Sequence, residues 1–194
     1  MPKVSKAQIR RTLILDTSLQ LLAEKGARGI THRGIDDRAG IPMGSTSNVF
    51  RTRAALAHAT FEHHQEREIE FIDSVRRALP EKIKINELAE ALVAGVEGLS
   101  SSDLANLSAA RFEIYLEGRR NPQVVAGLAR PRESVTALLA DLLRRAGIKH
   151  PDKNAALLIP YIEGLNAERL FNPDTAISHD EAVKAFGIFL KGLK

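Results

Sequence analysis

The sequence predicts an all-α fold of about nine helices: a three-helix head at the N-terminus, a long fourth helix, and a helical bundle beyond it. Three observations predict it. Apolar residues recur at intervals of three and four through nearly the whole chain, the spacing that puts them on one face of a helix. Strand-like alternation is nearly absent. The periodic runs are separated by short Gly-, Pro- and Ser-containing breaks such as "GARGIT", "LSSSD", "GRRNP" and "NPDTAIS", which stop helices at ordinary lengths.

The elements follow in order. In residues 7–25, Leu15, Leu19 and Leu22 share a face, and Gly26 follows as a residue able to take the left-handed conformation after a helix. Thr31 is placed to cap a second, short helix that ends near Gly40; Gly34 inside it implies a close contact. Pro42 fits the first position of a third helix of about two turns. Thr52 is placed to cap a long fourth helix, Arg53 to about Leu79, with Phe61, His64, Ile72, Val75 and Leu79 near one face and Pro80 closing it. Leu88, Leu92, Val96 and Leu99 line a fifth helix, and Leu104, Leu107, Ala110 and Ile114 a sixth. Val135, Leu138, Leu139, Leu142 and Leu143 form a strong stripe that Gly147 ends, with Pro131 starting or kinking the segment. A helix over 152–171 carries Pro160 and Gly164, which predict a kink. Ser178 and Glu181 form a capping-box pair opening a last helix with Val183, Phe186, Leu190 and Leu193 on one side.

The composition narrows function. The chain has 194 residues, and with no cysteine there is no disulfide, thiolate nucleophile or Cys-based zinc site. No apolar run approaches the roughly 18 residues that span a bilayer, and no apolar segment follows the basic start "MPKVSKAQIRR", so a cytoplasmic protein with no membrane partner is expected. Charge is uneven. Residues 1–58 carry ten Lys and Arg against four Asp and Glu, while the remainder is slightly acidic. That asymmetry suits a polyanion-binding head on a neutral body, and equally a solvated basic surface.

One stretch separates these readings. In "IPMGSTSNVFRTRAAL", residues 41–56, five small polar residues sit between helices and are followed by Phe50, Arg51 and Arg53. A polar surface loop is the plain interpretation. The basic flanks favour a helix-turn-helix, whose reading helix must enter a major groove about 12 Å wide. Small residues allow close approach there, hydroxyls and amides bond phosphates and bases, and arginines neutralise phosphate.

Residues 14–56, "ILDTSLQLLAEKGARGITHRGIDDRAGIPMGSTSNVFRTRAAL", resemble the N-terminal DNA-binding domain of the TetR family of bacterial transcriptional regulators. "LLAEKG" ends the first helix as in the family, Thr31 opens the second, "AGIPMG" fits the turn, Phe50 the closing aromatic and Arg53 the basic residue opening helix four. Ser47, Asn48 and Val49 stand where the family often has Tyr-Tyr-His, and Pro42 and Met43 where it often has Ser-Lys. The resemblance implies a helix-turn-helix domain over 1–52 and a ligand-sensing, dimerisation domain over 53–194. It also implies a homodimer on a palindromic double-stranded DNA operator, usually a repressor, that a small-molecule effector releases.

On this reading Thr46, Ser47 and Asn48 are candidates for base or nearby phosphate contacts. Thr31, His32, Arg33, Arg51, Thr52 and Arg53 are phosphate candidates, Gly44 and Ser45 belong to the same surface, and Arg10 and Arg11 touch the DNA backbone, reach the minor groove or, equally, form a free N-terminal arm. Thr31 and Thr52 are equally helix caps, and His32 is equally a plain solvent-exposed residue. Arg111, Phe112, Tyr115 and Tyr161 are candidate effector-pocket residues, against ordinary packing roles. Val183, Phe186, Leu190 and Leu193 are candidates for the dimer interface, the alternative being that they cover the chain's own core. His58, His63 and His64 lack the spacing of metal ligands, so no metal or cofactor is expected. Two other classes stand beside the regulator. A DNA-binding module without a ligand would have a packed C-terminal core; a helical-bundle enzyme would need convergent Glu and His motifs, which the chain lacks.

Overall fold

A computed structural model describes residues 5–100, 102–120 and 129–194. Nine α-helices and no strand occur among the described residues: α1 Lys6–Lys25, α2 His32–Ala39, α3 Ser45–Val49, α4 Arg53–Ala78, α5 Ile85–Leu99, α6 Ser102–Arg120, α7 Ala129–Arg145, α8 Pro151–Phe171 and α9 His179–Gly192. The all-helical expectation holds. The chain forms two compact units, Met1–Arg67 with Asn106–Leu128 and Glu68–Ala105 with Ala129–Lys194, so the division falls inside α4 and again near the start of α6.

Local chemistry explains most of the ends. Thr31 Oγ1 accepts from the Gly34 N–H at 3.1 Å and caps α2. A β-carbon on Gly34 would sit 2.8 Å from that same oxygen, which is the close contact its glycine implies. Ser178 and Glu181 form the expected capping box at α9, and Thr52 Oγ1 accepts from the Ala55 N–H at 3.1 Å. One expectation changes: Pro42 does not open α3, because Gly44 stands at φ +88° and interrupts the helical backbone before Ser45. Of the break expected over 118–122, Gly118 to Arg120 are the last residues of α6, and Asn121 and Pro122 lie outside the described residues. Pro131 lies in the first turn of α7, where its missing N–H costs nothing, and α8 continues as one element through Pro160.

In the first unit α1 packs on α2 and α2 on α3. Ile14, Leu22, Ile30, Ile35 and Leu56 are fully buried, as are His64 and Thr60. His64 Nε2 donates to the Leu107 carbonyl at 2.9 Å, tying α4 to α6. Burial pushes its imidazole down to a pKa of about 4, with the charges of Arg111 and His63 acting in the same direction, so it is neutral near pH 7. His63 Nε2 lies 2.7 Å from the Asp16 carboxylate on α1, and His58 pairs with Glu62 at 3.3 Å. These three histidines therefore have separate partners.

The second unit is built on apolar burial. α7 packs on α8, and α5 on both α8 and α9. The core includes Leu88, Val93, Leu142, Leu143, Leu158, Phe186 and Leu190, all essentially inaccessible. At its edge His179 bridges two carboxylates of α5, Glu90 at 2.7 Å and Glu97 at 3.0 Å, and Glu97 also meets Arg169 of α8 at 2.9 Å.

Candidate DNA interface

α3 is five residues long, Ser-Thr-Ser-Asn-Val, without one strong helix former. An isolated helix of that length and composition does not form in water. Here α2 supplies what propensity lacks. Asp36, 2% exposed, accepts the Gly44 N–H at 2.7 Å and the Thr46 N–H at 2.9 Å, and Thr46 Oγ1 donates to it at 2.6 Å. Burial pushes the Asp36 carboxyl up. The hydrogen bonds from Thr46 and Gly44 more than reverse this and hold it below its ordinary value, so the group is a carboxylate. Its charge stands at the N-terminal N–H groups of α3, where a negative charge is favoured.

The other end of α3 is held from the same face of α2. His32 Nε2 donates to the Phe50 carbonyl at 2.6 Å. His32 and Asp36 are four apart on α2, so one helical turn carries both grips. Phe50 itself is buried, and the Arg11 guanidinium lies 4.7 Å from its ring centroid. Sequence reasoning named His32 for another role and missed Asp36. The signal was available: Ile35 and Asp36 fall on the inward face of α2, and a carboxylate there requires donors.

The candidates thus sort by what they touch. Thr46 is fully buried and engaged with Asp36, and Ser45 is 6% exposed, so both support α3 from within. Ser47 is half-buried and its Oγ donates to the Gly44 carbonyl at 2.9 Å. Arg53 donates to the carbonyls of Ile30 at 3.2 Å and Ala27 at 3.0 Å and braces the turn before α2. Thr31 and Thr52 cap helices and remain exposed, and Arg33 makes a loose, exposed pair with Asp37 at 3.8 Å. Asn48 and Arg51 are exposed. Gly44 takes a left-handed conformation, which carries the chain from the turn into α3.

The remaining candidates lie elsewhere. Arg111, Phe112 and Tyr115 are on α6 in the first unit, the two rings edge to face at 6.3 Å. Tyr161 is on α8 in the second, stacked on Phe189 at 5.3 Å and edge-on to Phe186 at 4.6 Å. It lines an apolar cleft of about 280 Å³ with Leu165, Ile177 and Phe186. The stripe expected to meet a partner needs correction. Phe186 and Leu190 are 1% and 0% exposed and fill the chain's own core; Val183 and Leu193 are half-buried against it. The apolar residues of α8 and α9 left outside are Leu157, Tyr161, Phe171 and Ile188. Helical periodicity finds a stripe, and does not say which neighbour covers it.

Residues 84–187, more than half of the chain, match the family described as Tetracyclin repressor-like, C-terminal domain. The chain belongs to the TetR family. Among its relatives, the HTH-type transcriptional regulator UidR of Escherichia coli K12 is 28% identical over 156 residues, 79% of this chain and 76% of the relative. The structure of Salmonella enterica GusR covers 98% of both chains with a TM-score of 0.71 at 22% identity, a likeness of fold. The multidrug binding protein EbrR, solved in complex with proflavin, covers 93% of this chain and 99% of its own at 25% identity and a TM-score of 0.63. This TetR-family chain is therefore a helix-turn-helix transcriptional regulator and not an enzyme. Among the described residues no helix is long and apolar enough to cross a membrane.

Proposed function

We propose that this TetR-family protein is a cytoplasmic repressor that binds a palindromic DNA operator as a homodimer and is released by a small-molecule effector. The observation that carries the DNA reading is the double grip of α2 on α3. A five-residue helix of weak formers is held at both ends by Asp36 and His32, which leaves Asn48 and Arg51 exposed in a basic surround. Residues 1–52 are the DNA-binding domain in this proposal. Asn48 contacts a base. Arg33 and Arg51 neutralise phosphates, joined by the exposed hydroxyls of Thr31 and Thr52 and by Ser47. Gly44, Ser45, Thr46, His32 and Arg53 hold the surface that does so.

The dimer is proposed through the outer face of α8 and α9, with Leu157, Tyr161, Phe171 and Ile188 meeting the same residues of a second copy. Two-fold symmetry suits two half-sites about 34–36 Å apart. An effector is supported by EbrR, a structural relative with proflavin bound. Phe112 and Tyr115, with Arg111 beside them, are proposed to line the effector site within residues 53–194. An effector that binds the released conformation better than the DNA-bound one shifts the balance between them by that difference alone.

The test is fluorescence anisotropy of the full chain on duplexes tiled from the DNA around its gene, against a scrambled duplex, at several salt concentrations. A saturable preference of about 10³ or more for one palindromic duplex is expected. Equal weak binding to all duplexes, with only a steep salt dependence, would sink the reading.

A further inference from the structure

The surface that α3 presents is chemically one-sided. From Pro42 to Phe50 there is no Lys, Arg, Asp or Glu. Guanine is read in the major groove mainly by Arg or Lys on O6 and N7, and cytosine N4 by a carboxylate. Neither group exists on this helix. Of the arginines that follow it, Arg51 is exposed and is assigned to phosphate in the proposed function, Arg53 is engaged with the Ile30 and Ala27 carbonyls, and Asp36, the acid that grips α3, is buried beneath it.

What α3 does present is an amide and two apolar side chains. Asn48 is exposed and its amide makes no hydrogen bond among the described residues. Met43, in the turn before the helix, is 66% exposed, and Val49, its last residue, is 36% exposed. The hydroxyls that would otherwise compete for bases point elsewhere: Thr46 Oγ1 donates to Asp36 and Ser47 Oγ to the Gly44 carbonyl. The major groove has one prominent apolar feature, the C5-methyl of thymine, and the amide of Asn matches adenine N6 and N7. α3 is about 7.5 Å long, from the 1.5 Å rise of each of its five residues, and with the turn before it spans roughly three base pairs at 3.4 Å each.

We propose that α3 selects A·T base pairs, Asn48 pairing with adenine and Met43 and Val49 packing on thymine methyl groups. The inference rests on the reading of α3 as the helix that enters the major groove. It names the chemistry of the operator at the half-site centre: A·T pairs with thymine methyls aligned to two apolar contacts three base steps apart or fewer.

The experiment has two stages, both on the full chain. A random-sequence duplex library is selected for binding, for the wild type and for Asn48→Ala. Deoxyuridine, which lacks only the methyl, then replaces thymine one position at a time in the best duplex, bound by wild type, Met43→Ala and Val49→Ala. The expected result is a half-site in which Asn48→Ala relaxes an A·T preference. Deoxyuridine at one or two positions weakens wild-type binding about fourfold each, the factor for one buried methyl group, and has no effect on the variant lacking the matching side chain. Both apolar variants change exposed side chains, and an unaltered helical circular dichroism melt checks that they fold. Half-sites centred on G·C, or deoxyuridine without effect on the wild type, would overturn the A·T inference and leave the regulator reading standing. A library with no enriched duplex would overturn both.

Discussion

α3 and α9 are both secured by their neighbours, and by opposite means. α9 is 14 residues long, opens with a capping box, and buries Ala182, Phe186 and Leu190 in a continuous apolar core. α3 is five residues long, and the residues it turns inward are Ser45 and Thr46. Its attachment is directional: three hydrogen bonds to Asp36 at the start and one from His32 at the end. Apolar area contributes most of the free energy of a fold but fixes orientation loosely, because it is non-directional. Hydrogen bonds contribute little net energy each and fix geometry closely. A helix that presents one amide to a base edge, as proposed for α3, needs the second kind of attachment; one that only completes a bundle needs the first.

Substitutions can break this contrast. The largest stability effect is expected from Phe186→Ala, at about 3–5 kcal/mol for a large buried aromatic side chain, read by urea unfolding. An effect below about 1 kcal/mol would mean that the core around α9 is not close-packed. Asp36→Ala is expected to cost about 2–4 kcal/mol, since it leaves the Gly44 and Thr46 donors without their acceptor. Its larger signature is loss of operator affinity per folded molecule, measured by anisotropy at a temperature where the variant is fully folded. Asp36→Asn keeps one acceptor oxygen and should fall between. Equal affinity for all three proteins would show that α3 does not depend on its grip.

The smallest effect sharpens the contrast through pH. His64 is held neutral in the first unit with a pKa of about 4, against an ordinary value of 6.5. The unfolded chain therefore takes up the proton first as pH falls. The contribution of neutral His64 is fully present above pH 6.5 and is lost between pH 6.5 and 4, to a total of up to about 3 kcal/mol. His64→Gln, which retains a donor for the Leu107 carbonyl, should show a shallower loss over that window. Parallel stability curves for the two proteins would assign the acid sensitivity to other groups.

Much of this was legible in the residues. The three-and-four periodicity, Gly26, Thr31, Gly40, Thr52 and the Ser178–Glu181 pair located helices and their caps, because those signals act within a turn or two of chain. The start of α3 was less legible, because Pro42 is compatible with a first helical turn and only the positive φ of Gly44 rules it out. The partner of α9 was not legible, because a stripe of Val183, Phe186, Leu190 and Leu193 has the same spacing whether it meets α5 in the chain's own core or a second copy.

The sequence by itself determined the all-helical class, most of the helix ends and a basic first third, since each depends on local propensity, capping or simple counting of charges. Only the tertiary structure decided which polar residues of the head face inward. Thr46 and Asn48 are both short and polar and stand two positions apart, yet one is closed against Asp36 and the other is exposed. The difference comes from a carboxylate ten residues earlier in the chain, and a contact of that kind is set by how α2 and α3 cross and not by the local pattern of either.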